Sequence, residues 1–250
     1  MDSFLIFGGN SKLAHTFHKI YPKNSTLLKR ERCDVTDRDS VDRILKRCKE
    51  NYVINCAAIT DIEYCELNQK KCYDVNTLGA KNIELSCKKY DKKLIHISSD
   101  YAVHPTNTYG LTKYLTEKIL DLDRTLIIRT SFFDEEYFLI KNLIDKKITH
   151  AYSNVFFNPI SSVELSRQIF KNKDRCGIVN IFTKDKVSKY EFATKVSRVF
   201  KIDKKLILKE KFVNKNISTL RPLDSYIKPD INLNLQKNIY DFKKWLDGKD

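Results

Sequence analysis

The chain has 250 residues, with 46 lysines and arginines against 32 aspartates and glutamates, and a formal net charge of +14 at pH 7. This length suffices for one well-packed core, or for a large domain with a smaller lobe. The apolar runs are far shorter than the roughly 20 residues of a membrane span, and the first residues lack a signal-peptide pattern, so we expect a cytoplasmic protein with no membrane partner. The lysines are dispersed, without an arginine and aromatic cluster, and we therefore predict no nucleic-acid partner.

The seven cysteines are odd in number and form no CxxC pair. A disulfide framework and a zinc ribbon both need paired spacings that this sequence lacks. We therefore predict reduced thiols and no metal site.

Short apolar runs alternate with longer amphipathic segments through the first half of the chain. Strands that alternate with helices of this length predict a doubly wound parallel α/β sheet, whose ligands bind where the strands end. The predicted strands are Phe4–Gly8, Ser25–Lys29, Tyr52–Asn55, Leu94–Ser98 and Leu126–Arg129, and the predicted helices are Ser11–Ile20, Asp39–Glu50, Gln69–Tyr90 and Thr108–Leu122.

This alternation changes near Tyr152. A main domain of residues 1–151 and a smaller C-terminal lobe of residues 152–250 are therefore predicted. Within the lobe we predict helices at Ser161–Lys171 and Lys189–Phe200, a strand at Gly177–Phe182 that is a candidate to return to the main sheet, and an irregular strand region at Lys204–Phe212.

The first predicted strand leads into a turn that suits a phosphate group. Because the turn opens a helix, its backbone N–H groups and the helix dipole favour an anion. The turn keeps the first glycine of the dinucleotide fingerprint, Gly8, and has Ser11 and Ala14 at the two later glycine positions. Small residues there still allow close packing, so we predict a dinucleotide site whose first contacts are Gly8, Asn10, Ser11, Lys12 and Leu13.

Basic residues at the end of the second strand bear on the identity of the dinucleotide. Lys29, Arg30 and Arg32 lie where an acidic residue grips the ribose of NAD, and basic residues there accommodate the 2′-phosphate of NADP. We predict NADP, with NAD left open because Glu31 lies among them. After the third strand, the small side chains of Cys56, Ala57 and Ala58 and the nearby Thr60 let the backbone approach a ribose or phosphate.

The fourth strand is followed by Ser98-Ser99-Asp100-Tyr101, and shortly afterwards by Tyr109-Gly110-Leu111-Thr112-Lys113. Tyr109 and Lys113 are four residues apart in a predicted helix and therefore share a face. A neighbouring ammonium stabilises a phenolate, which predicts a lowered pKa for Tyr109 and suits it to proton transfer. A hydroxyl, a phenol and an amine together indicate proton transfer that accompanies hydride transfer from a nicotinamide.

These segments occur in an order that resembles the extended short-chain dehydrogenase/reductase superfamily, and most of all its dTDP-4-dehydrorhamnose reductase group. The motifs that carry the resemblance are Asn55-Cys56-Ala57-Ala58, Asp74-Val75-Asn76, Ser98-Ser99-Asp100-Tyr101, Tyr109-Gly110-Leu111-Thr112-Lys113 and Arg129-Thr130-Ser131. The resemblance covers most of residues 1–165 and then thins to Phe157-Asn158-Pro159, Ser188-Lys189-Tyr190-Glu191-Phe192 and Leu220-Arg221-Pro222.

The resemblance implies a Rossmann-type domain for NADP or NAD, a smaller C-terminal substrate-binding lobe and a nucleotide-sugar substrate. It assigns catalysis to Ser99, Tyr109 and Lys113, with Tyr109 as proton donor. It also places Tyr109 and Lys113 at the cofactor, where Lys113 holds the nicotinamide ribose. Asp34 and Val35 are implied to meet the adenine ring, Asn76 to organise a hydrogen-bond network, and Ser98 to lie at the cofactor. The implied substrate-binding residues are Asp100, Tyr101, Asn158 and Arg221.

The implied reaction is NADPH-dependent reduction of a nucleotide-linked 4-keto-6-deoxyhexose, carried by dTDP or UDP, for deoxysugar synthesis. Two alternatives stay open: a nucleotide-sugar epimerase of the same superfamily, and a non-catalytic regulatory subunit like the partner of methionine adenosyltransferase. A homodimer is left open as the assembly. The connection from Ala102 to Thr108 is shorter than the family's, so we expect the substrate to be covered from elsewhere.

Overall fold

The computed structural model describes residues 2–214 and 219–248. Its strands are β1 (Phe4–Phe7), β2 (Ser25–Leu28), β3 (Tyr52–Asn55), β4 (Lys93–Ile97), β5 (Thr125–Arg129), β6 (Phe132–Phe133), β7 (Thr149–Tyr152), β8 (Phe156–Phe157), β9 (Ile160–Ser161), β10 (Gly177–Asn180), β11 (Val187–Ser188) and β12 (Ile207–Glu210). Its helices are α1 (Lys12–Ile20), α2 (Arg38–Arg47), α3 (Ile62–Leu67), α4 (Gln69–Tyr73), α5 (Gly79–Lys89), α6 (Thr108–Ile119), α7 (Phe138–Ile144), α8 (Ser162–Asn172), α9 (Lys189–Phe200) and α10 (Leu235–Leu246).

A six-stranded sheet has the order β10-β5-β4-β3-β1-β2. The neighbouring pairs among β1 to β5 are all parallel, and the order reverses between β3 and β1. The predicted doubly wound, Rossmann-type sheet is therefore confirmed. In such sheets the ligand crevice lies at the carboxyl ends of the strands, at the point of this reversal.

The described chain divides into two compact units. The first comprises residues 2–129, 166–179 and 219–220, and the second comprises residues 130–165, 180–214 and 221–248. The strand predicted at Gly177–Phe182 is β10, the edge strand beside β5.

The core of the first unit forms because apolar side chains of adjacent strands meet the apolar faces of α2 and α5. Leu5, Val53 and Leu94 from the sheet belong to one buried cluster with Val41 of α2 and Ile83 of α5. Burial of a side chain of this size contributes about 1.5–3 kcal/mol, so this cluster anchors the strands whose ends carry the site.

The long helix predicted at Gln69–Tyr90 is interrupted. A π-helical turn, Asp74–Leu78, separates α4 from α5, and the N–H of Gly79 donates to the carbonyl of Asp74 five residues earlier. The widened turn contains Asn76, whose side chain bonds outside its own helix. Sequence periodicity did not predict this turn, because one extra residue barely alters a helical pattern.

The second unit contains three short two-stranded pairings: β6 with β9, β7 with β12, and β8 with β11. Its aromatic core joins the rings of Phe133 with those of Phe192 and Phe242, whose centroids are 5.1 and 5.3 Å from that of Phe133. Helix α10 lies where no element is predicted, although Asn234 caps it and Leu235, Ile239 and Phe242 bury one face. That cap and periodicity were the signals available for it.

Two further observations concern the described residues as a group. All seven cysteines are free thiols, as predicted. Every described helix is too short or too polar to cross a lipid bilayer.

Candidate active site

The site begins where β4 ends. Ser98 and Ser99 follow the strand, the 3₁₀ helix Asp100–Ala102 comes next, and α6 starts after the cap residue Asn107. The Asn107 side chain accepts from the N–H of Gly110 at 2.9 Å. Gly110 is required here, because a Cβ on it would lie 2.9 Å from the carbonyl oxygen of Tyr101. The chain therefore folds back sharply enough to set α6 against the residues that follow β4.

The start of α6 is also held by Glu66 of α3. Its carboxylate accepts from the Thr108 N–H at 2.6 Å and from the Thr108 hydroxyl at 2.9 Å. An anion at a helix N-terminus is favourable because the helix dipole and free N–H groups are positive there. Sequence reasoning did not find Glu66, since the contact joins residues 42 positions apart.

Ser99, Asp100 and Tyr109 form a connected polar group. The Ser99 hydroxyl donates to the Asp100 carboxylate at 2.8 Å. The same hydroxyl is close enough to the Tyr109 phenol to act on the pKa of that group. The structure thus brings two predicted catalytic residues together and places Asp100, a predicted substrate contact, behind Ser99.

The pKa of Tyr109 differs from the sequence prediction. Burial raises it above the ordinary value, the Ser99 hydrogen bond opposes that rise, and the charges of Asp100, Tyr101 and Cys65 add to it. Lys113 was predicted to lower this pKa, but desolvation dominates because it penalises the phenolate. The phenol therefore keeps its proton at neutral pH, which suits a proton donor.

Lys113 is buried on the same helix, one turn after Tyr109. Its ammonium donates to the carbonyl of Ile97 at 2.7 Å. Burial lowers its pKa to about 8, an effect opposed by the negative charge of Glu117 and the nearby Cys56 and Cys72 thiols. At neutral pH it carries a positive charge next to the end of β4.

A buried ion pair lies one turn further along α6. The Glu117 carboxylate accepts from the Arg129 guanidinium, with the closest contact at 2.7 Å, and from the Ser98 hydroxyl at 2.6 Å. The side chain of Glu117 is 2% exposed and that of Arg129 is 23% exposed. Ser98, predicted at the cofactor, therefore ties the end of β4 to α6 in this structure.

Asn76 of the π-helical turn joins α6 to the segment after β3. Its amide oxygen accepts from the Ile59 N–H at 2.7 Å, and its amide nitrogen donates to the Ile59 carbonyl at 2.9 Å and to the Thr112 hydroxyl at 3.0 Å. The predicted hydrogen-bond role of Asn76 thus takes the form of direct protein contacts. The exposed Thr60 follows directly on the residue that Asn76 holds.

The predicted phosphate turn packs closely against the turn that follows β3. Gly8 has a φ of +73°, and a Cβ on it would lie 2.5 Å from the Ala57 nitrogen. Ser11 caps α1 by accepting from the Ala14 N–H at 3.2 Å. Burial raises the pKa of the Cys56 thiol, and the nearby Ser11 hydroxyl opposes that rise. Ala57 and Ala58 are half-buried in this turn.

The other three residues predicted to contact the cofactor at this turn differ in their exposure to solvent. Asn10 donates to the Glu31 carboxylate at 3.3 Å. Leu13 is buried on the inner face of α1, so its side chain packs in the core. Only its backbone lies at the start of the helix, where the cofactor contact is predicted. Lys12, on the outer face, is exposed.

Positive side chains surround the end of β2. Lys29 and Arg30 are exposed, and the Arg30 guanidinium pairs with Asp34 at 3.2 Å. The pKa of Asp34 is lowered, first by the N–H of Thr36 that it accepts. Val35 is buried against Gly79, where an added Cβ would lie 2.6 Å from its methyl group.

The predicted substrate residues have different surroundings. Tyr101 lies with its ring centroid 5.8 Å from that of Tyr109, the predicted proton donor. Asn158 is fully buried, where its amide nitrogen donates to the carbonyls of Thr183 and Ile227. The backbone N–H of Arg221 donates to the Asn214 side chain at 2.9 Å.

The short connection before α6 is hydrogen-bonded to a residue far along the chain. The carbonyl of Leu220 accepts from the Thr106 hydroxyl at 3.0 Å and from the Asn107 amide at 2.8 Å. This contact, which spacing along the chain could not reveal, holds Leu220 at the start of α6.

Substitution of Gly8 tests the close packing of the two turns. We expect Gly8→Ala to lower the free energy of unfolding by more than the roughly 1–2 kcal/mol of a left-handed φ, because its Cβ also meets backbone. Gly177→Ala is the matched control, since Gly177 has a φ of +81° and nothing within 4 Å of an added Cβ. Urea unfolding of both variants gives the comparison, and equal losses would contradict the collision.

The chain resembles known proteins both in sequence and in fold. The chain matches the family described as RmlD substrate binding domain over residues 2–245. It is 27% identical over 157 residues to a dTDP-4-dehydrorhamnose reductase of Aggregatibacter actinomycetemcomitans, a match that spans 55% of this chain and 53% of the relative. It is 26% identical over 194 residues to the spore coat polysaccharide biosynthesis protein SpsK of Bacillus subtilis, across 68% of each chain. The chain thus spans about half the length of the first of these relatives.

Among solved structures, a dTDP-4-dehydrorhamnose reductase from Clostridium acetobutylicum aligns with a TM-score of 0.85 and 24% identity, covering 98% of this chain and 99% of that one. The corresponding reductase of Bacillus anthracis, solved in complex with NADP, aligns with a TM-score of 0.85 and 19% identity, covering 97% and 98%. The fold and these matches place the chain in the extended short-chain dehydrogenase/reductase superfamily. Within that superfamily, the chain belongs to the RmlD substrate binding domain family.

Proposed function

We propose that the protein uses NADPH to reduce the 4-keto group of a nucleotide-linked 4-keto-6-deoxyhexose. The observation that carries the proposal is the half-buried Tyr109 phenol beside Ser99, which keeps its proton at neutral pH, with the Lys113 ammonium one helical turn away. Relatives named as dTDP-4-dehydrorhamnose reductase and dTDP-4-keto-6-deoxy-D-glucose reductase support the choice of substrate class. A cytoplasmic location and the division into a cofactor domain at 1–151 and a substrate lobe at 152–250 are part of this proposal.

The residues at the carboxyl ends of β1 and β2 fit a dinucleotide. Gly8 allows the turn before α1 to pack on the Cys56 and Ala57 backbone, and the capped start of α1 is a suitable place for a pyrophosphate. Lys29 and Arg30 are exposed cations at the end of β2, which favours NADP over NAD. When bound, the reduced nicotinamide supplies the hydride.

The chain's own residues account for the proton. When the substrate binds, the Ser99 hydroxyl turns from Asp100 to the keto oxygen and Tyr109 donates to the same oxygen, and Tyr109 gives its proton to that oxygen as the alcohol forms. Negative charge then develops on the phenolate, and the Lys113 ammonium stabilises it. Before the substrate binds, Asp100 holds the Ser99 hydroxyl in one orientation.

The direct test mixes the purified chain with NADPH and dTDP-4-keto-6-deoxyglucose or its UDP counterpart. We expect loss of the reduced-nicotinamide absorbance and a 6-deoxyhexose product by NMR. Oxidised cofactor without an alcohol product would contradict the assignment. Interconversion of sugar epimers without net cofactor oxidation would favour the epimerase, a class to which a 31% identical UDP-glucose 4-epimerase of Rickettsia bellii belongs.

The lowered pKa of Lys113 gives a pH prediction. The ammonium is the acid form, so its population falls as pH rises through about 8. We expect kcat/KM for the keto sugar to fall by about tenfold for each pH unit above that value, because the phenolate loses its stabilising charge. Steady-state rates between about pH 6 and 10 test this, with NADPH binding measured at each pH as the control. A level profile across that range would show that the charge on Lys113 is not needed.

A further inference from the structure

Asn55 and His96 form a buried polar pair away from the Ser99 and Tyr109 hydroxyls. They are register partners on β3 and β4 and are 2% and 1% exposed. The Asn55 amide nitrogen lies 3.2 Å from Nδ1 of His96, and the Asn55 amide oxygen accepts from the Ala57 N–H at 3.0 Å. One amide thus bonds the histidine ring on one side and the turn after β3 on the other.

These contacts fix the hydrogens of the pair. Because the Asn55 oxygen is used by a backbone N–H, its NH₂ group must face the ring, and Nδ1 of His96 must accept. The ring proton is therefore on Nε2. Burial and the positive charge of Lys113 both hold the pKa of His96 well below its ordinary value, so the ring is neutral. If the ring were an imidazolium, the Nδ1–H of His96 and the NH₂ group of Asn55 would both be donors and could not form a hydrogen bond with each other.

The turn that Asn55 holds is the one that meets the predicted phosphate turn. A Cβ on Gly8 would lie 2.5 Å from the Ala57 nitrogen and 2.7 Å from the Cys56 carbonyl carbon. The two backbone segments are so close that a small displacement of Ala57 also displaces Gly8. Contacts therefore run without a gap from His96 through Asn55 and Ala57 to the glycine that opens the dinucleotide turn.

Packing alone does not account for a histidine here. Nε2 of His96 is buried and has no hydrogen-bond partner among the described residues. A buried unpaired donor destabilises a fold, whereas an aromatic hydrocarbon would fill the same space without that cost. What His96 adds over such a side chain is the acceptor that orients Asn55.

We propose that His96 is a positioning residue that sets the affinity of the protein for NADPH, acting through Asn55 on the Cys56-Ala57-Ala58 turn. This inference rests on the proposed use of NADPH. His96 contacts no reacting group in this account, so it acts on cofactor binding and not on the chemical step.

Two substitutions separate affinity from stability. His96→Phe keeps the ring volume and removes the acceptor, so we expect the Kd for NADPH to rise about tenfold while kcat at saturating NADPH changes less than about twofold. Its thermal midpoint should stay close to that of the wild type, because the unpaired Nε2 donor is gone while the Asn55 NH₂ group loses its acceptor. His96→Asn supplies an amide oxygen near the position of Nδ1, so we expect a Kd within about threefold of the wild type despite a lower midpoint from the lost volume.

The measurements are NADPH titration by fluorescence, thermal unfolding and steady-state kinetics on the full chain. If affinity follows the order of stability, His96 is only structural and the inference fails. If His96→Phe binds NADPH as tightly as the wild type, the inference alone fails. If the wild type does not bind NADPH at all, the proposed function fails with it.

A measurement on the unsubstituted protein does not depend on either variant folding. Nitrogen-15 NMR of the histidine rings is expected to show His96 as the neutral form protonated on Nε2, with Nδ1 accepting. A proton on Nδ1, or an imidazolium at neutral pH, would break the contact with Asn55 and overturn the proposal.

Discussion

Replacement of Tyr109 by phenylalanine is expected to reduce kcat for keto-sugar reduction by about 10²–10⁴-fold, the usual contribution of a positioned general acid. The ring remains, so the packing of Tyr101 at 5.8 Å and the start of α6 should persist. Only the phenol hydroxyl and its proton are lost. The NADPH affinity should change little, because the phenol acts on the keto oxygen.

The matched control is Tyr114→Phe. It makes the same chemical change on the same helix, at a half-buried tyrosine whose ring faces Lys118. We expect wild-type kinetics for it. A Tyr109→Phe variant that reduces the keto sugar at the wild-type rate would remove Tyr109 from the mechanism, whatever the effect on cofactor binding.

The second large effect concerns the ion pair beneath the site. Arg129→Met is expected to lower the free energy of unfolding by about 3–5 kcal/mol, because it leaves the Glu117 carboxylate buried without its cation. Glu117 is almost wholly enclosed, and its remaining contact is the Ser98 hydroxyl at 2.6 Å. Equilibrium unfolding in urea measures the loss.

The double substitution Glu117→Leu with Arg129→Met should recover much of that stability, since no buried charge is left unpaired. Lys70→Met is the control for an exposed pair: Lys70 bonds Asp74 at 2.6 Å, but its side chain is 90% exposed. We expect a loss below about 1 kcal/mol there. Equal losses for Arg129→Met and Lys70→Met would show that the burial of Glu117 has no energetic consequence.

The first of these two predictions concerns the reaction rate, and the second concerns the free energy of unfolding. Tyr109→Phe is expected to change the chemical step, whereas Arg129→Met is expected to change the stability of the fold that aligns β4 with α6. The hydroxyl of Ser98 belongs to the second group, although its neighbour Ser99 belongs to the first. A stability assay and a rate assay on the same variants therefore distinguish residues that react from residues that hold them.

The sequence by itself determined the features that depend on neighbours along the chain. Alternating apolar runs predicted β1 to β5 and the parallel sheet, because strand and helix periods are local. Four-residue spacing placed Tyr109 and Lys113 on one face of α6, and the motif order indicated the family. The helix caps at Ser11 and Asn107 likewise follow from residues three positions away.

Only the tertiary structure decided the properties that depend on burial and on distant partners. The pKa of Tyr109 is raised because folding desolvates the phenol, although its nearest cation in sequence predicted the opposite. Glu66 at the start of α6, Glu117 on Arg129 and His96 on Asn55 are pairs that no spacing rule connects. Desolvation and long-range contacts exist only once the chain has folded. Here desolvation keeps the proton on the Tyr109 phenol, and the long-range pairs hold the elements around it in position.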